Sequence, residues 1–172
     1  MDYTAAGSGL KKVFIGEILS ILSFIPLVGG ILALVGLILN LVGLNEASRA
    51  SEGYRTAFTL SIVSIVLAVL TLVLPILSVV GSILSFVVVY LVCITTADIL
   101  DECGDSDTAA KGRFVWKLYV VCTVILVVCG LVALIPGAAI LAGLVIIPTA
   151  IASLVAGIQY LIFLYRASDF LS

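Results

Sequence analysis

Apolar residues run nearly unbroken through three long stretches of this chain. Every Asp, Glu, Lys and Arg falls into one of four short segments around them: Asp2 to Glu17, Glu46 to Arg55, Asp98 to Lys117 and Arg166 to Asp169. Residues 18–45, 56–97 and 118–165 carry no formal charge. A charge at the bilayer centre costs at least about 2.5–3.5 kcal/mol, so uncharged runs of this length mark a lipid-embedded protein.

A crossing needs about 20 residues, so each run is too long for one span. Each also holds a proline near its middle, in Phe24-Ile25-Pro26-Leu27, Val73-Leu74-Pro75-Ile76 and Leu134-Ile135-Pro136-Gly137. Proline removes a backbone donor and disfavours helix in the residue before it. The pattern therefore predicts an all-α, polytopic transmembrane bundle of about six helices in three proline-turn hairpins. The expected helices cover about 12–25, 28–45, 54–74, 76–98, 113–135 and 138–166. The first is short and contains Glu17, and Pro148 must kink or divide the last, so four to six true spans are expected.

Composition strengthens this picture. The chain has 172 residues, 63% hydrophobic and 10% charged, with mean hydropathy +1.41; soluble domains carry roughly a quarter charged residues. One membrane domain over 1–172 is expected, with 1–10 as a flexible tail and 99–112 as an acidic cytoplasmic loop. Lys11 and Lys12 before an apolar run imitate a signal peptide, but no small-x-small cleavage pattern follows, so the segment is read as part of the fold. The net charge of -2 says little, because opposite charges alternate within the same loops; no basic patch or acidic tail occurs, so no nucleic-acid partner is expected.

Three hairpins place both termini, both charged loops and all eight Lys and Arg residues on one face. The positive-inside rule puts that face in the cytoplasm, in a cell-membrane, multi-pass arrangement. Tyr54, Trp116, Tyr119 and Tyr165 lie near the charged segments and are expected as interfacial anchors, with Phe58, Phe114, Tyr160 and Phe163 beside them. Each hairpin opens with a basic residue and then an aromatic (Lys12 and Phe14, Arg55 and Phe58, Arg113 and Phe114), a weak internal repeat.

Small residues recur at helical spacing. Gly29, Ala33, Gly36, Asn40 and Gly43 share one face of the second helix, and Ala57, Ser61, Ser64, Ala68 and Thr71 one face of the third. Ala152, Ser153, Ala156 and Gly157 cluster near the end of the last. Such stripes let helices approach closely, either within the chain or in a homo-oligomer, with Asn40 as an interhelical hydrogen-bonding group.

Glu17 is the one carboxylate far enough from a loop to count as membrane-inserted. The plainer expectation is that it snorkels or pairs with Lys11 or Lys12. The sharper one joins it to Asn40 and Gln159 in an intramembrane polar cluster that coordinates a cation or carries a proton. The run from Asp98 to Asp107 holds five carboxylates, but neither Asp101 nor Asp105 starts a loop with Gly sixth and Glu twelfth, as an EF-hand requires. No metal or cofactor is expected.

Chemistry is otherwise sparse. The chain has no histidine, which removes Ser-His and Cys-His nucleophiles and the usual zinc hydrolase ligands. Cys93, Cys103, Cys122 and Cys129 form no C-x-x-C and are expected reduced. Gly104-Asp105 has no second membrane aspartate, and no Gly-rich loop ends in Gly-Lys-Ser/Thr. No catalytic residue is assigned, and enzyme activity is not expected.

The stretch Ile25-Pro-Leu-Val-Gly-Gly-Ile-Leu-Ala-Leu-Val-Gly-Leu-Ile-Leu-Asn-Leu-Val-Gly-Leu44, with Glu52-Gly-Tyr-Arg-Thr-Ala-Phe58, resembles uncharacterised small multi-span integral membrane proteins of bacteria and archaea. The resemblance covers about the first 60 residues and implies a membrane location and no particular reaction. Three two-helix repeats are also a property of mitochondrial carriers, but the proline-acid-base signature of their odd helices is absent. The leading expectation is a non-enzymatic membrane component that associates with itself or with another membrane protein within the lipid bilayer. The alternative is a small-ion or small-solute transporter or channel using Glu17, Asn40 and Gln159.

Overall fold

The computed structural model describes residues 3–23, 28–70, 77–133 and 139–172. They form six α-helices, and no strand occurs among the described residues: α1 Tyr3–Leu22, α2 Gly29–Ala47, α3 Glu52–Leu70, α4 Leu77–Glu102, α5 Ser106–Ala133 and α6 Ala139–Phe170. The chain is an all-α helical bundle. The turns expected at Pro26, Pro75 and Pro136 lie outside the described residues, as does Thr71 of the α3 stripe.

Helix packing is most extensive within α1–α2, α3–α4 and α5–α6. Consecutive hairpins also touch, and α6 returns to pack on α1, so the six helices close into a ring. Five of them are long and apolar enough to cross a membrane, which is consistent with a multi-pass membrane protein. The exception is α1. Its 20 residues span about 30 Å at 1.5 Å per residue, but Lys11, Lys12 and Glu17 fall inside it. The outside of the ring is apolar: Ile31, Leu34, Val66, Val69, Ile147 and Leu154 are each more than half exposed. In water such a surface would be a large association patch; in lipid it is the expected coat.

The buried core gathers at one end. Ala6, Leu10, Ala47, Tyr54, Ala57, Leu100, Ala109, Phe163, Leu164 and Ala167 belong to one cluster, with all six helices contributing. These positions flank the charged segments, so both ends of the described chain and both charged connections meet at the same face. Tyr54 is fully buried there, and its hydroxyl lies 2.7 Å from Thr96 Oγ1. This corrects the expectation of an interfacial anchor: Tyr54 sits three residues before Ala57, on the inward face of α3. Tyr165 does remain on the surface, more than half exposed and against the Phe14 ring at 5.6 Å. Trp116 packs on Phe86 and Tyr90 at 4.7 and 4.8 Å between ring centres.

Two segments expected to be loose are ordered. The stretch 1–10, expected to be a tail, is helical from Tyr3, with Ala6 and Leu10 fully buried. Its small residues are what permit the packing, since a Cβ on Gly7 would lie 2.6 Å from the carbonyl carbon of Leu171. The acidic loop expected over 99–112 shrinks to Cys103, Gly104 and Asp105. Here Gly104 takes φ +95°, and its N–H donates to Asp101 at 3.2 Å while that of Asp105 donates to Leu100 at 2.9 Å. That is a Schellman end for α4. Asp105 then caps α5, its Oδ1 accepting from the Thr108 N–H at 3.1 Å.

Pro148 does not divide α6, which runs unbroken for 32 residues around it. All four cysteines are free thiols, with Cys93, Cys122 and Cys129 buried.

Candidate functional site

The α2 stripe meets a matching stripe on α1 that the sequence reading did not single out. A Cβ on Gly36 would fall 2.7 Å from the Gly16 carbonyl oxygen, and one on Gly43 would fall 2.5 Å from that of Gly9. The reverse substitutions meet the same clash, so the two backbones touch at two levels. Both pairs are seven residues apart in each helix, and that shared spacing is the signal that could have revealed the match. Gly29 is buried at the far end of the same seam. Ala33 is exposed, lining a cavity rather than a helix contact.

With α1 and α2 this close, Glu17 and Asn40 face one another, and Asn40 Nδ2 donates to Glu17 Oε1 at 3.2 Å. Glu17 does not pair with a lysine among the described residues. Lys12 instead reaches Glu46, which also accepts from Ser8 Oγ. The reason is direction along the helix: Lys12 lies toward the charged end, beside the last turn of α2, and Glu17 lies more than one turn deeper.

The Glu17–Asn40 pair lines a cavity of about 480 Å³ between α1, α2, α3 and α4, together with Ser20, Ser61, Ser64 and Ser85 and with apolar Leu37, Leu41, Ile65, Val88 and Val89. Ser64, Ala68 and Ser85 also line an adjoining space of about 510 Å³ that reaches Tyr119 and Thr123 on α5. The hydroxyls sit where they do because the inward faces of the helices continue past the core. Glu17 is four residues after Val13, Asn40 four before Leu44 and Ser61 four after Ala57, each one turn beyond a buried core residue. The core thus forms the floor of a polar cavity in the half of the ring away from the charged face.

Two buried side-chain polar atoms among the described residues have no hydrogen-bond partner: Asn40 Oδ1 and Ser64 Oγ. Both residues line the same cavity. An unpartnered buried polar atom costs about 1–3 kcal/mol; Asn40 Oδ1 lies in the α1–α2 seam, 2.8 Å from where a Cβ on Gly16 would stand.

Gln159 does not join this cluster. It lines a separate cavity between α5 and α6 with Lys111 and Arg166. One residue on α6 is a rotation of about 100°, so the neighbouring Tyr160 packs against the core while Gln159 turns toward α5. Tyr119, expected as an interfacial anchor, lines the polar space and stacks on Phe86 at 5.9 Å. The serines of α4 were missed because Ser82 and Ser85 stand alone among apolar residues. Hydroxyls three apart in an uncharged run were the available signal. No group of three or more His, Cys, Asp or Glu that could hold a metal occurs among the described residues. Comparison with protein families, with curated proteins and with solved structures finds no match for this chain.

Proposed function

We propose that this protein is a non-enzymatic, multi-pass protein of the cell membrane that takes up a small polar solute or cation in its intramembrane cavity and passes it across the bilayer. The observation that carries the reading is the hydrogen-bonded Glu17–Asn40 pair lining one space with Ser20, Ser61, Ser64 and Ser85. An ionisable group inside a bundle is a functional-site candidate because its desolvation is costly. Here the Asn40 hydrogen bond and the serines among the lining residues offset part of that cost. The bundle's charged end carries all the Lys and Arg residues, which supports cytoplasmic termini and a cavity facing the outside.

In this reading Glu17 holds the cation or a donor group of the solute, Asn40 orients the carboxylate, and the serines replace hydration water. Passage requires the Tyr54–Thr96 floor to part. The test is flux of small cations and polar solutes into proteoliposomes. Glu17→Gln keeps the shape and removes the charge, and the expected result is at least tenfold slower flux. Unchanged flux of every solute carried by the unaltered protein would sink the proposal.

A second reading, association with itself or another membrane protein, rests on small residues left uncovered. A Cβ on Gly157 meets nothing within 4 Å, so a foreign helix could approach there. Gly36 and Gly43 give that reading no support, being covered by α1. Crosslinking in lipid that yields dimers from the unaltered chain and only monomers from Gly157→Leu supports it.

A further inference from the structure

The α5–α6 cavity that holds Gln159 is chemically distinct from the polar cavity above. It has a volume of about 290 Å³ and is lined by Thr108, Lys111 and Val115 from α5 and by Gln159, Ile162 and Arg166 from α6. On each helix these residues follow helical spacing and span seven positions, so two stripes face one another along about 10 Å of helix axis. Phe163 closes the back of the space, where Gly112 lets its ring come so near that a Cβ there would lie 2.5 Å away.

The charges in this cavity are not neutralised by contact. Among the described residues the ion pairs are Lys12 with Glu46 and Arg113 with Asp98 and Asp101. Lys111 and Arg166 form none and line one cavity together. Asp105 attracts both from a distance but makes no ion pair with either, its Oδ1 accepting from the Thr108 N–H.

The order of groups along the cavity matches one kind of molecule. Two cations stand at the charged face, where lipid headgroups lie. Below them comes the apolar side chain of Ile162, about half exposed, with Val115 buried behind it. Gln159 lies about 10 Å deeper than Arg166 along the backbone, seven residues along the helix, at the end of the cavity away from the charged face. Basic pockets between membrane helices hold anionic headgroups by this combination of charge and apolar wall.

We propose that this cavity binds one anionic phospholipid of the leaflet bordering the charged face. Lys111 and Arg166 hold its phosphate, and an acyl chain lies along the exposed Ile162 toward Gln159. The site is separate from the Glu17 cavity and does not depend on the transport reading.

The test is native mass spectrometry of the purified full chain titrated with phosphatidylglycerol, phosphatidylcholine or inorganic phosphate. Near a membrane surface each Lys or Arg contributes about fivefold in affinity. Phosphatidylglycerol is expected to bind in preference to phosphatidylcholine. Binding should weaken about fivefold in Lys111→Gln or Arg166→Gln, and roughly 30-fold in the double variant. Both side chains are exposed, so these variants should fold; the single variants provide the reading should the double fail. Lys11→Gln with Arg55→Gln removes the same charge elsewhere on this face and is expected to change binding less than twofold. Equal losses in the two double variants would show diffuse attraction and overturn the proposal. So would a lack of preference over phosphatidylcholine, or displacement of the lipid by millimolar inorganic phosphate, which would assign the site to a free anion.

Discussion

Gly16 and Gly36 face each other across α1 and α2 so closely that a Cβ on either would lie 2.7 Å from the carbonyl oxygen of the other. The obstacle is backbone on both sides, so no side chain can swing away to relieve it. This contact holds Glu17 within hydrogen-bonding distance of Asn40.

Gly36→Ala is therefore expected to force the two helices apart and destabilise the bundle by about 1–3 kcal/mol, the usual range for overpacking. Gly30, on the same helix, has nothing within 4 Å of its built Cβ. Gly30→Ala should be neutral or stabilising by up to about 1 kcal/mol through helix propensity. Unfolding in mixed micelles with increasing denaturing detergent compares the two, and equal effects would contradict the close contact.

Tyr54 and Thr96 predict an asymmetry. Thr96 Oγ1 donates its one hydrogen to the Val92 carbonyl at 2.6 Å, so the Tyr54 hydroxyl must be the donor in the 2.7 Å bond between them. Thr96→Val leaves a buried phenol donor without a partner and should cost about 1–3 kcal/mol. Tyr54→Phe removes the donor itself and should cost less than Thr96→Val, and the double variant less than the sum. The same unfolding assay, run as a double-mutant cycle, checks the order.

Asp105 links the charged face to pH. The bonds from Thr108 hold its carboxyl below the usual aspartate range. A depressed folded value means that its stabilisation is fully present above the ordinary value, about 3.9. It is lost as pH falls through the lower folded value. Asp105→Ala should cost about 1 kcal/mol at neutral pH, as expected for a lost helix cap. Asp105→Asn should keep the cap and flatten the acid limb of the stability profile. An acid limb identical in the unaltered chain and Asp105→Asn would remove this link.

Much of the architecture was legible because it follows from where charge can lie in a bilayer. Six helices and a common charged face are both consequences of the uncharged runs. The similar depth of Glu17 and Asn40 across the first hairpin was legible too, although the plainer expectation gave Glu17 a lysine partner or the interface. What sequence did not reveal depends on which way a helix faces. Tyr54 reads as an anchor by type and depth, yet rotation about α3 turns it into the core. Gln159 has the right depth for the Glu17 cluster but the wrong azimuth. The N-terminal segment reads as a flexible tail because Gly, Ser and Ala are common in linkers, although the same small side chains allow α1 to pack on the end of α6. The acidic stretch 99–112 looked like a loop because Schellman and capping geometry compress a reversal into three residues.

The most direct test of the account is thiol labelling with a membrane-impermeant maleimide in intact cells and in inverted vesicles, using Ser85→Cys. Ser85 lines the polar cavity, and the native Cys103 marks the charged face. The account predicts that the introduced thiol reacts in intact cells while Cys103 reacts only in inverted vesicles. Reaction of Cys103 in intact cells, with position 85 labelled only from the opposite side, would contradict it.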